Sequence, residues 1–336
     1  MTLSVDPIFV HAWWRSGSTY IWLKLRESEL HRCYYEPLHE QMARLDEKTV
    51  EQPPDGAFSR ALRHPTTKKN YFAEYANLLR SSSLRYSPDL AYDRYLLRPS
   101  QTDNRLRNYL RGLISDASSA GRRAILCFCR SQMRSAWMRE TFGGIHVAQI
   151  RNPINQWASF KINPYFSIGA IVIALKLRNL HPHAFMHIEA FERLAQDLSR
   201  RPSLPLDLIS SQFVAQRDCL DVFLIIWIAS AMQAIAHCDF VLDIDLLAAD
   251  SNNRNTTSKW LNSIGCSVDF SDCSLPTSTL LHVHSPLFER TVKEAASAIR
   301  THAASLVVTH PQVVEQKLPL LSPLSQRVLR LALGDE

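Results

Sequence analysis

The chain has 336 residues, of which 46% are hydrophobic and 21% charged, and its formal net charge is +6. These proportions are typical of a globular protein and exclude a wholly disordered chain. The positive charge is modest and scattered along the chain, which argues against a nucleic-acid-binding protein and suits a small polyanionic ligand.

The longest nearly apolar run, residues 222–236, is shorter than the roughly 20 residues needed to cross a bilayer, so we expect a buried helix there and no membrane span. The first nine residues lack the pattern of a secretory signal. Seven cysteines without a C-x-x-C pair argue against a disulfide framework and a zinc knuckle. Together these features predict a cytoplasmic location.

Hydrophobic patterning predicts an α/β domain spanning residues 1–336. The predicted strands are residues 8–11, 124–129, 145–150 and 240–244, and the predicted helices include residues 18–30, 133–141, a helix from Pro153, residues 219–237 and much of the last fifty residues. Alternation of strands and helices implies a mostly parallel sheet with helices on both faces. The polar segment 43–121 is predicted to be an insertion of helices and loops laid over the core rather than part of it.

An anion-binding pattern follows the first predicted strand. Its residues are Arg15, Ser16, Gly17, Ser18, Thr19 and Tyr20. The start of a helix presents unpaired N–H groups and the positive end of its dipole, Gly17 allows close backbone approach, and Arg15 supplies charge. Without a lysine after Gly17 the pattern is not a Walker A loop. The plain alternative is a strand–turn–helix joint with Ser18 as N-cap.

A second anion-binding pattern follows the strand 145–150. Arg151 stands where open α/β sheets bind ligands, Asn152 is a candidate N-cap, and Pro153 suits the first helical position. Ser159 lies two turns further along, on the face that Asn152 occupies, so arginine and serine can both reach one anion. The alternative is that Arg151 pairs with a carboxylate while Ser159 faces solvent.

Both patterns resemble those of PAPS-dependent sulfotransferases. Arg15–Tyr20 is similar to the family's 5'-phosphosulfate loop, [KR]-[ST]-G-[ST]-[ST]-[WFY], and Arg151–Ser159 to its 3'-phosphate element, R-[DN]-P-x-x-x-x-x-S. The resemblance implies a P-loop-type three-layer sandwich that transfers a sulfuryl group from PAPS (3'-phosphoadenosine-5'-phosphosulfate) to a hydroxyl or amine, leaving PAP. No metal is implied.

Glu36 is the residue that we expect to act as general base. Tyr35-Glu36-Pro37-Leu38 resembles the [FY]-E-P-L segment of carbohydrate and bacterial sulfotransferases, which implies a glycan or glycosylated metabolite as acceptor. Sulfuryl transfer needs a base for the acceptor proton and cations for the leaving phosphate, a role that Arg15 would fill. His39 is a second candidate base, and a plain surface carboxylate is the alternative for Glu36.

The histidine used by the small-molecule branch of the family is absent from residues 127–131, where Arg130 and Ser131 are predicted either to contact sulfate or acceptor or to form a structural ion pair. The segment 43–121 is expected to cover the acceptor site. Its aromatic and arginine side chains, Arg80, Arg85, Arg94 and Arg98 among them, suit a sugar-containing or anionic acceptor and equally a packed lid.

Two other functions compete with sulfuryl transfer. A kinase would use Mg-ATP with Asp243 or Asp245 near the metal, although we interpret both aspartates as structural. A non-catalytic nucleotide-binding protein would need the arginines but no base. The histidines at 181, 183, 187, 282 and 284 lack the ligand spacing of a zinc site. The family's late basic loop is missing, and its possible substitutes are Arg254, Lys259, Arg290 and Lys293.

Overall fold

The computed structural model of the chain describes residues 6–54, 56, 60, 63–65, 67–180, 216–274, 286–306 and 310–335. Five parallel strands form one central sheet within these residues, in the order β2–β3–β1–β4–β5. The strands are β1 (Ile8–His11), β2 (His31–Tyr35), β3 (Arg123–Phe128), β4 (Ile145–Ile150) and β5 (Phe240–Asp243). All of them are mostly buried, as strands covered on both faces must be.

Helices connect the strands and cover them. In chain order they are α1 (Ser18–Arg26), α2 (Glu47–Glu51), α3 (Ala76–Arg80), α4 (Asp89–Tyr92), α5 (Asn104–Ser119), α6 (Ser135–Phe142), α7 (Pro153–Phe160), α8 (Pro164–Leu180), α9 (Gln216–His237), α10 (Ile244–Ala249), α11 (Ser251–Ser263), α12 (Pro286–Leu306), α13 (Pro311–Lys317) and α14 (Pro323–Leu333). Short 3₁₀ turns are Glu40–Arg44, Ala73–Tyr75, Gln132–Arg134 and Leu318–Leu320. The prolines that begin α13 and α14 confirm the expected breaks in the C-terminal helices.

Neighbouring residues of β2 show that the sheet lies between two helical layers. The ring of Tyr35 packs against Trp22 of α1, with centroids 4.6 Å apart. The hydroxyl of the adjacent Tyr34 donates to the carbonyl of Leu113 in α5 at 2.9 Å. Since successive strand residues point to opposite faces, α1 and α5 cover opposite faces of the sheet. The predicted α/β class with a parallel sheet and helical layers is confirmed.

Helix α9 is apolar on every side because it lies inside the fold. Within the described residues, its segment Leu220–His237 has the length and hydropathy of a membrane span, but 89% of that segment is buried against the rest of the chain. A helix that is hydrophobic all round is typical of a protein core as well as of a membrane.

The N-terminal half differs from the predicted elements in three places. Helix α1 ends at Arg26 rather than Leu30, and β2 was not predicted at all. The strand was missed because β2 begins with the polar residues His31 and Arg32. The partner of Arg32 is the carboxylate of Asp116, which is distant in the sequence. Segment 43–121 is not only a cover, since α5 buries its apolar face against β2 and β3 and belongs to the core.

Candidate functional site

A cavity of about 540 Å³ opens at the carboxyl edge of the sheet. The residues directly after four of the strands line it: Glu36 after β2, Cys129 after β3, Arg151 after β4 and Ile244 after β5. Trp14, Arg15 and Gly17 of the loop after β1 also line the cavity. Strands β1 and β4 are neighbours whose connections leave in opposite directions, and open α/β sheets bind ligands in the crevice at such a switch point.

The lining falls into two sides, named here by their charged groups. The arginine side comprises Arg15, Gly17, Ser18, Arg151 and Ser159. The carboxylate side comprises Glu36, His39, Glu40, Tyr71, Phe72 and Tyr165. Trp14 and Phe166 also line the cavity, and both lie close to residues of each side.

The loop after β1 needs two residues with positive φ. Arg15 has φ +65° and Gly17 has φ +84°. A Cβ on Gly17 would lie 2.9 Å from Cγ1 of Ile244, so both the conformation and the space favour glycine. Gly17 is the N-cap of α1 and no side chain caps that helix, which leaves its first turn facing the cavity. The alternative with Ser18 as N-cap is therefore wrong.

Arg15, Arg151 and Ser159 meet on the arginine side. Nε of Arg15 donates to Oγ of Ser159 at 2.9 Å, and Nη1 of Arg151 donates to the carbonyl of Arg15 at 2.8 Å. Nε of Arg151 is buried and has no hydrogen-bond partner. Burial and the nearby charge of Arg151 lower the pKa of Arg15 to about 10. Arg151 is buried and Arg15 is half-buried, and two adjacent cations repel each other, so this cluster favours an anion between them.

The remaining residues of the first pattern have separate positions. Oγ of Ser18 lies 2.9 Å from Sγ of Cys129, and Oγ1 of Thr19 lies 2.9 Å from the Tyr35 hydroxyl. Tyr20 lines the cavity and donates to Asp272 at 2.7 Å. Ser16 does not line the cavity, and its Oγ is buried without a hydrogen-bond partner.

The second pattern has the local structure that its residues predict. Asn152 accepts from the backbone N–H groups of Ile154 and Asn155, and Pro153 is the first residue of α7. The N-cap prediction is confirmed. This cap sets the direction of α7, and Ser159 at its far end thereby reaches Arg15.

Glu36 stands on the carboxylate side, directly after β2. Its backbone N–H donates to the carbonyl of Cys127 at 2.8 Å, which fixes the residue to the edge of the sheet at φ +39°. Oε2 lies 3.3 Å from Nη1 of Arg130 and 4.0 Å from Nε2 of His39. The side chain of Glu36 is 9% exposed. It is thus an enclosed carboxylate at the cavity and not a plain surface one.

His39 is placed beside Glu36 but with its proton on the wrong nitrogen for a base. Burial and the charge of Arg130 lower the pKa of His39, so the ring is neutral at pH 7. The backbone N–H of Gln41 donates to Nδ1 at 3.1 Å, which leaves the single ring proton on Nε2, the nitrogen that faces Glu36. This geometry favours Glu36 over His39 as the proton acceptor.

Arg130 is a structural cation and not a cavity residue. Its side chain is 1% exposed and pairs with Glu36 and Glu40. Ser131 hydrogen-bonds Nδ1 of His11 at 2.8 Å, in the sheet beneath the cavity. The predicted structural ion pair is confirmed for Arg130, whereas Ser131 forms a hydrogen bond within the sheet.

Asp243 and Asp245 use their carboxylates to hold the fold together. Asp243 caps α10 through one oxygen and accepts from the N–H of Ser322 with the other, at 2.8 Å. The two oxygens of Asp245 accept from the N–H of Asn152 and from the side chain of Asn155, both at 2.6 Å. The structural interpretation is confirmed. No group of three or more potential metal ligands lies close together within the described residues, and the histidines at 181, 183, 187, 282 and 284 lie outside them.

None of the four substitutes for the late basic loop lines the cavity. Arg254 donates to the carbonyls of Leu247 and Ala248 at the end of α10, and Arg290 pairs with Glu294. Arg63 is the further cation on the cavity wall among the described residues, and sequence reasoning missed it. No pattern of neighbouring residues marks it.

The carboxylate side contains other residues that were not predicted. Burial lowers the pKa of His64 to about 4. Burial alone would raise the pKa of Glu40, but Arg130, His39 and Tyr165 outweigh it and lower that pKa to about 2. A signal existed for Tyr165 and Phe166, because Asn163-Pro164 marks a helix start at the sheet's ligand-binding edge.

A scan against protein-family models, a search of curated proteins and a search of solved structures each found no match to this chain. Function is therefore inferred from the cavity residues and their contacts.

Proposed function

We propose that this chain is a PAPS-dependent sulfotransferase. The observation that carries the proposal is the junction of Arg15 with Ser159 and Arg151, because two anion-binding patterns more than 130 residues apart adjoin each other beside one cavity. Each pattern alone is a common strand–helix joint. Their union supplies the two cationic contacts that a nucleotide with separate 5' and 3' phosphate groups needs.

The arginine side would hold the donor. The first turn of α1 with Arg15 suits the 5'-phosphosulfate, and Arg151 with Ser159 suits the 3'-phosphate. When the bond between sulfur and the 5'-phosphate oxygen breaks, negative charge grows on the departing PAP. Arg15 and the N–H groups of α1 would stabilise that charge.

The carboxylate side would hold the acceptor and its base. Glu36 takes the proton of an acceptor hydroxyl as that oxygen forms its bond to sulfur. Tyr71, Phe72 and Tyr165 line the same cavity as Glu36, and flat apolar faces near carboxylate oxygens suit a neutral sugar ring. Among the arginines of segment 43–121, Arg94 pairs with Asp103 and Arg80 donates to Asn77, whereas Arg63 lines the cavity.

The kinase alternative is weaker because the carboxylates it would use are occupied. All four oxygens of Asp243 and Asp245 accept hydrogen bonds from the fold. A non-catalytic nucleotide-binding protein would need no enclosed carboxylate opposite the arginines. The position of Glu36 favours the enzyme over that alternative.

Calorimetric titration with PAP and with Mg-ATP tests the donor assignment. We expect PAP to bind without metal at micromolar concentration or below. Arg151→Ala removes a charged contact and should weaken PAP by about 10- to 100-fold, that is roughly 1.5–3 kcal/mol. Arg105→Ala, on an exposed face of α5 away from the cavity, is the matched control and should leave affinity unchanged. Binding of Mg-ATP without binding of PAP would replace the proposal with the kinase alternative.

A further inference from the structure

One buried cation is shared by two carboxylates beside the cavity. Nη1 of Arg130 donates to Oε2 of Glu36 at 3.3 Å, and Nη2 donates to Oε2 of Glu40 at 2.7 Å and to the hydroxyl of Tyr165 at 2.6 Å. A guanidinium that is 1% exposed has lost its water and depends on these contacts. The strength of each contact therefore determines which carboxylate balances most of the positive charge of Arg130.

The two carboxylates are held unequally. Glu40 has the shorter contact with Arg130, and its other oxygen accepts a hydrogen bond from the Tyr165 hydroxyl. Arg130, Glu40 and Tyr165 thus form a closed hydrogen-bond network in which each side chain contacts the other two. Glu36 has a single longer contact with the same guanidinium. Glu40 therefore satisfies most of the charge of Arg130 and leaves Glu36 oriented but less tightly bound.

Aromatic rings keep the guanidinium in place. Cζ of Arg130 lies 4.9 Å from the ring centroid of Trp14 and 5.4 Å from that of Tyr92. Trp14 directly precedes Arg15, and Phe166, the neighbour of Tyr165, lies 5.2 Å from Cζ of Arg15. The segments Trp14–Arg15 and Tyr165–Phe166 thus each have one residue in contact with Arg130. The second residue of each segment is Arg15 itself or contacts Arg15.

We propose that Glu40, braced by Tyr165, is a positioning residue that neutralises Arg130 so that Glu36 stays free to accept a proton. This role rests on the proposed function of Glu36 as base. Glu40 does not take the proton itself. If Glu40 is neutralised, the charge of Arg130 passes to Glu36, which becomes a tighter ion-pair partner and a poorer base.

The surroundings of Glu36 decide how its titration should respond. The charged or titratable groups that face it are Arg130, His39, Glu40, Tyr35, Cys129 and His64. Burial lowers the pKa of His39 and of His64, and burial raises the pKa of the Tyr35 hydroxyl and of the Cys129 thiol. Arg130 and Glu40 are the two groups in this set that form an ion pair with each other next to Glu36.

Carbon-13 NMR of full-length protein labelled at the glutamate carboxyl groups measures this titration directly. The Glu36 signal is assigned by its loss in Glu36→Gln, and the Glu40 signal by its loss in Glu40→Gln. In Glu40→Gln we expect the midpoint of Glu36 to fall by about one pH unit, because an opposing charge is lost. Glu40→Asp keeps the charge and should restore most of the wild-type midpoint. Glu47→Gln, on exposed α2, should change nothing.

An unchanged Glu36 midpoint in folded Glu40→Gln would overturn the positioning role. Should that variant fail to fold, the wild-type spectrum still decides, because the role requires Glu40 to remain ionised throughout the range in which Glu36 titrates. PAP titration of the same samples keeps the two proposals apart. Glu40 lies away from the arginine side, so PAP affinity should be equal in wild type and Glu40→Gln, whereas absent PAP binding in both would instead overturn the sulfotransferase assignment.

Discussion

On the arginine side of the cavity, Arg15 and Arg151 lie next to each other and donate to a hydroxyl and a backbone carbonyl. On the carboxylate side, Arg130 is buried and forms ion pairs with Glu36 and Glu40. The arginine side thus presents its cations to the cavity, whereas the cation of the carboxylate side forms ion pairs inside the protein. The difference teaches that an arginine at the carboxyl edge of a sheet indicates a ligand when it lines a cavity, and not when it is enclosed among carboxylates of the protein.

Glu36→Gln should separate the two sides most strongly. Loss of the base is expected to lower sulfuryl transfer at least 100-fold, while PAP affinity stays within about twofold of wild type. The measurement is conversion of PAPS to PAP in the presence of a panel of neutral mono- and disaccharides. His39→Gln is the companion variant and should keep most activity. A Glu36→Gln enzyme that retained a tenth of wild-type turnover would show that another group takes the proton.

Acidification should break both sides together, because two buried histidines lie in the sheet beneath them. The Ser131 hydroxyl can donate to Nδ1 of His11, Nε2–H of His11 to Nδ1 of His146 at 2.9 Å, and Nε2–H of His146 to the carbonyl of Gly143 at 2.9 Å. This chain is complete with two neutral rings, and another proton would set two N–H groups against each other. Burial lowers the pKa of both rings, that of His146 to about 4.

The sign of the pH effect follows from these shifts. The unfolded histidine has a pKa near 6.5 and takes up protons first, so stability is full above about pH 6.5 and falls as pH drops towards 4. His146 alone should cost up to about 3 kcal/mol of unfolding free energy over that range. Asp243, whose pKa burial raises to about 6, contributes in the opposite direction. Denaturant unfolding at pH 7 and pH 5 should therefore be compared with His146→Gln, in which the dependence on pH should be shallower. Equal slopes in both proteins would contradict the account.

Gly17→Ala should sharpen the comparison by damaging only the arginine side. Alanine at φ +84° is strained, and its Cβ would meet Ile244. We expect PAP affinity to fall about tenfold, with the Glu36 titration unchanged. Gly112→Ala in α5 is the matched control, since nothing lies within 4 Å of its new Cβ. That control should keep PAP affinity and gain up to about 1 kcal/mol of stability from helix propensity. Equal PAP affinity in both variants would count against the loop as an anion site.

The anion-binding half of the site was accessible to sequence reasoning because its signals are local. A strand followed by Arg15 and Gly17, or by Arg151, Asn152 and Pro153, has a short-range physical meaning in turn geometry and helix capping. Strands β1 and β4 have the predicted bounds for the same reason, since short runs of mostly apolar residues suit a sheet covered on both faces.

The carboxylate side was only partly accessible. Tyr165 reaches Arg130 across 35 positions of the chain, and Glu40 across 90. Neither spacing corresponds to a helical or strand period. Arg130 itself was predicted with two equal alternatives, because the sequence does not say which carboxylates the fold will bring to it.

The sequence by itself determined the α/β alternation, the N-cap at Asn152, and which residues are candidates for anion binding and for the base. These depend on residues a few positions apart, whose geometry the backbone dictates. Only the tertiary structure decided that β2 is a strand, that Arg130 is internal, and that Arg15 meets Ser159 across 144 positions. The order of the strands in the sheet sets those distances, and that order comes from packing the whole chain.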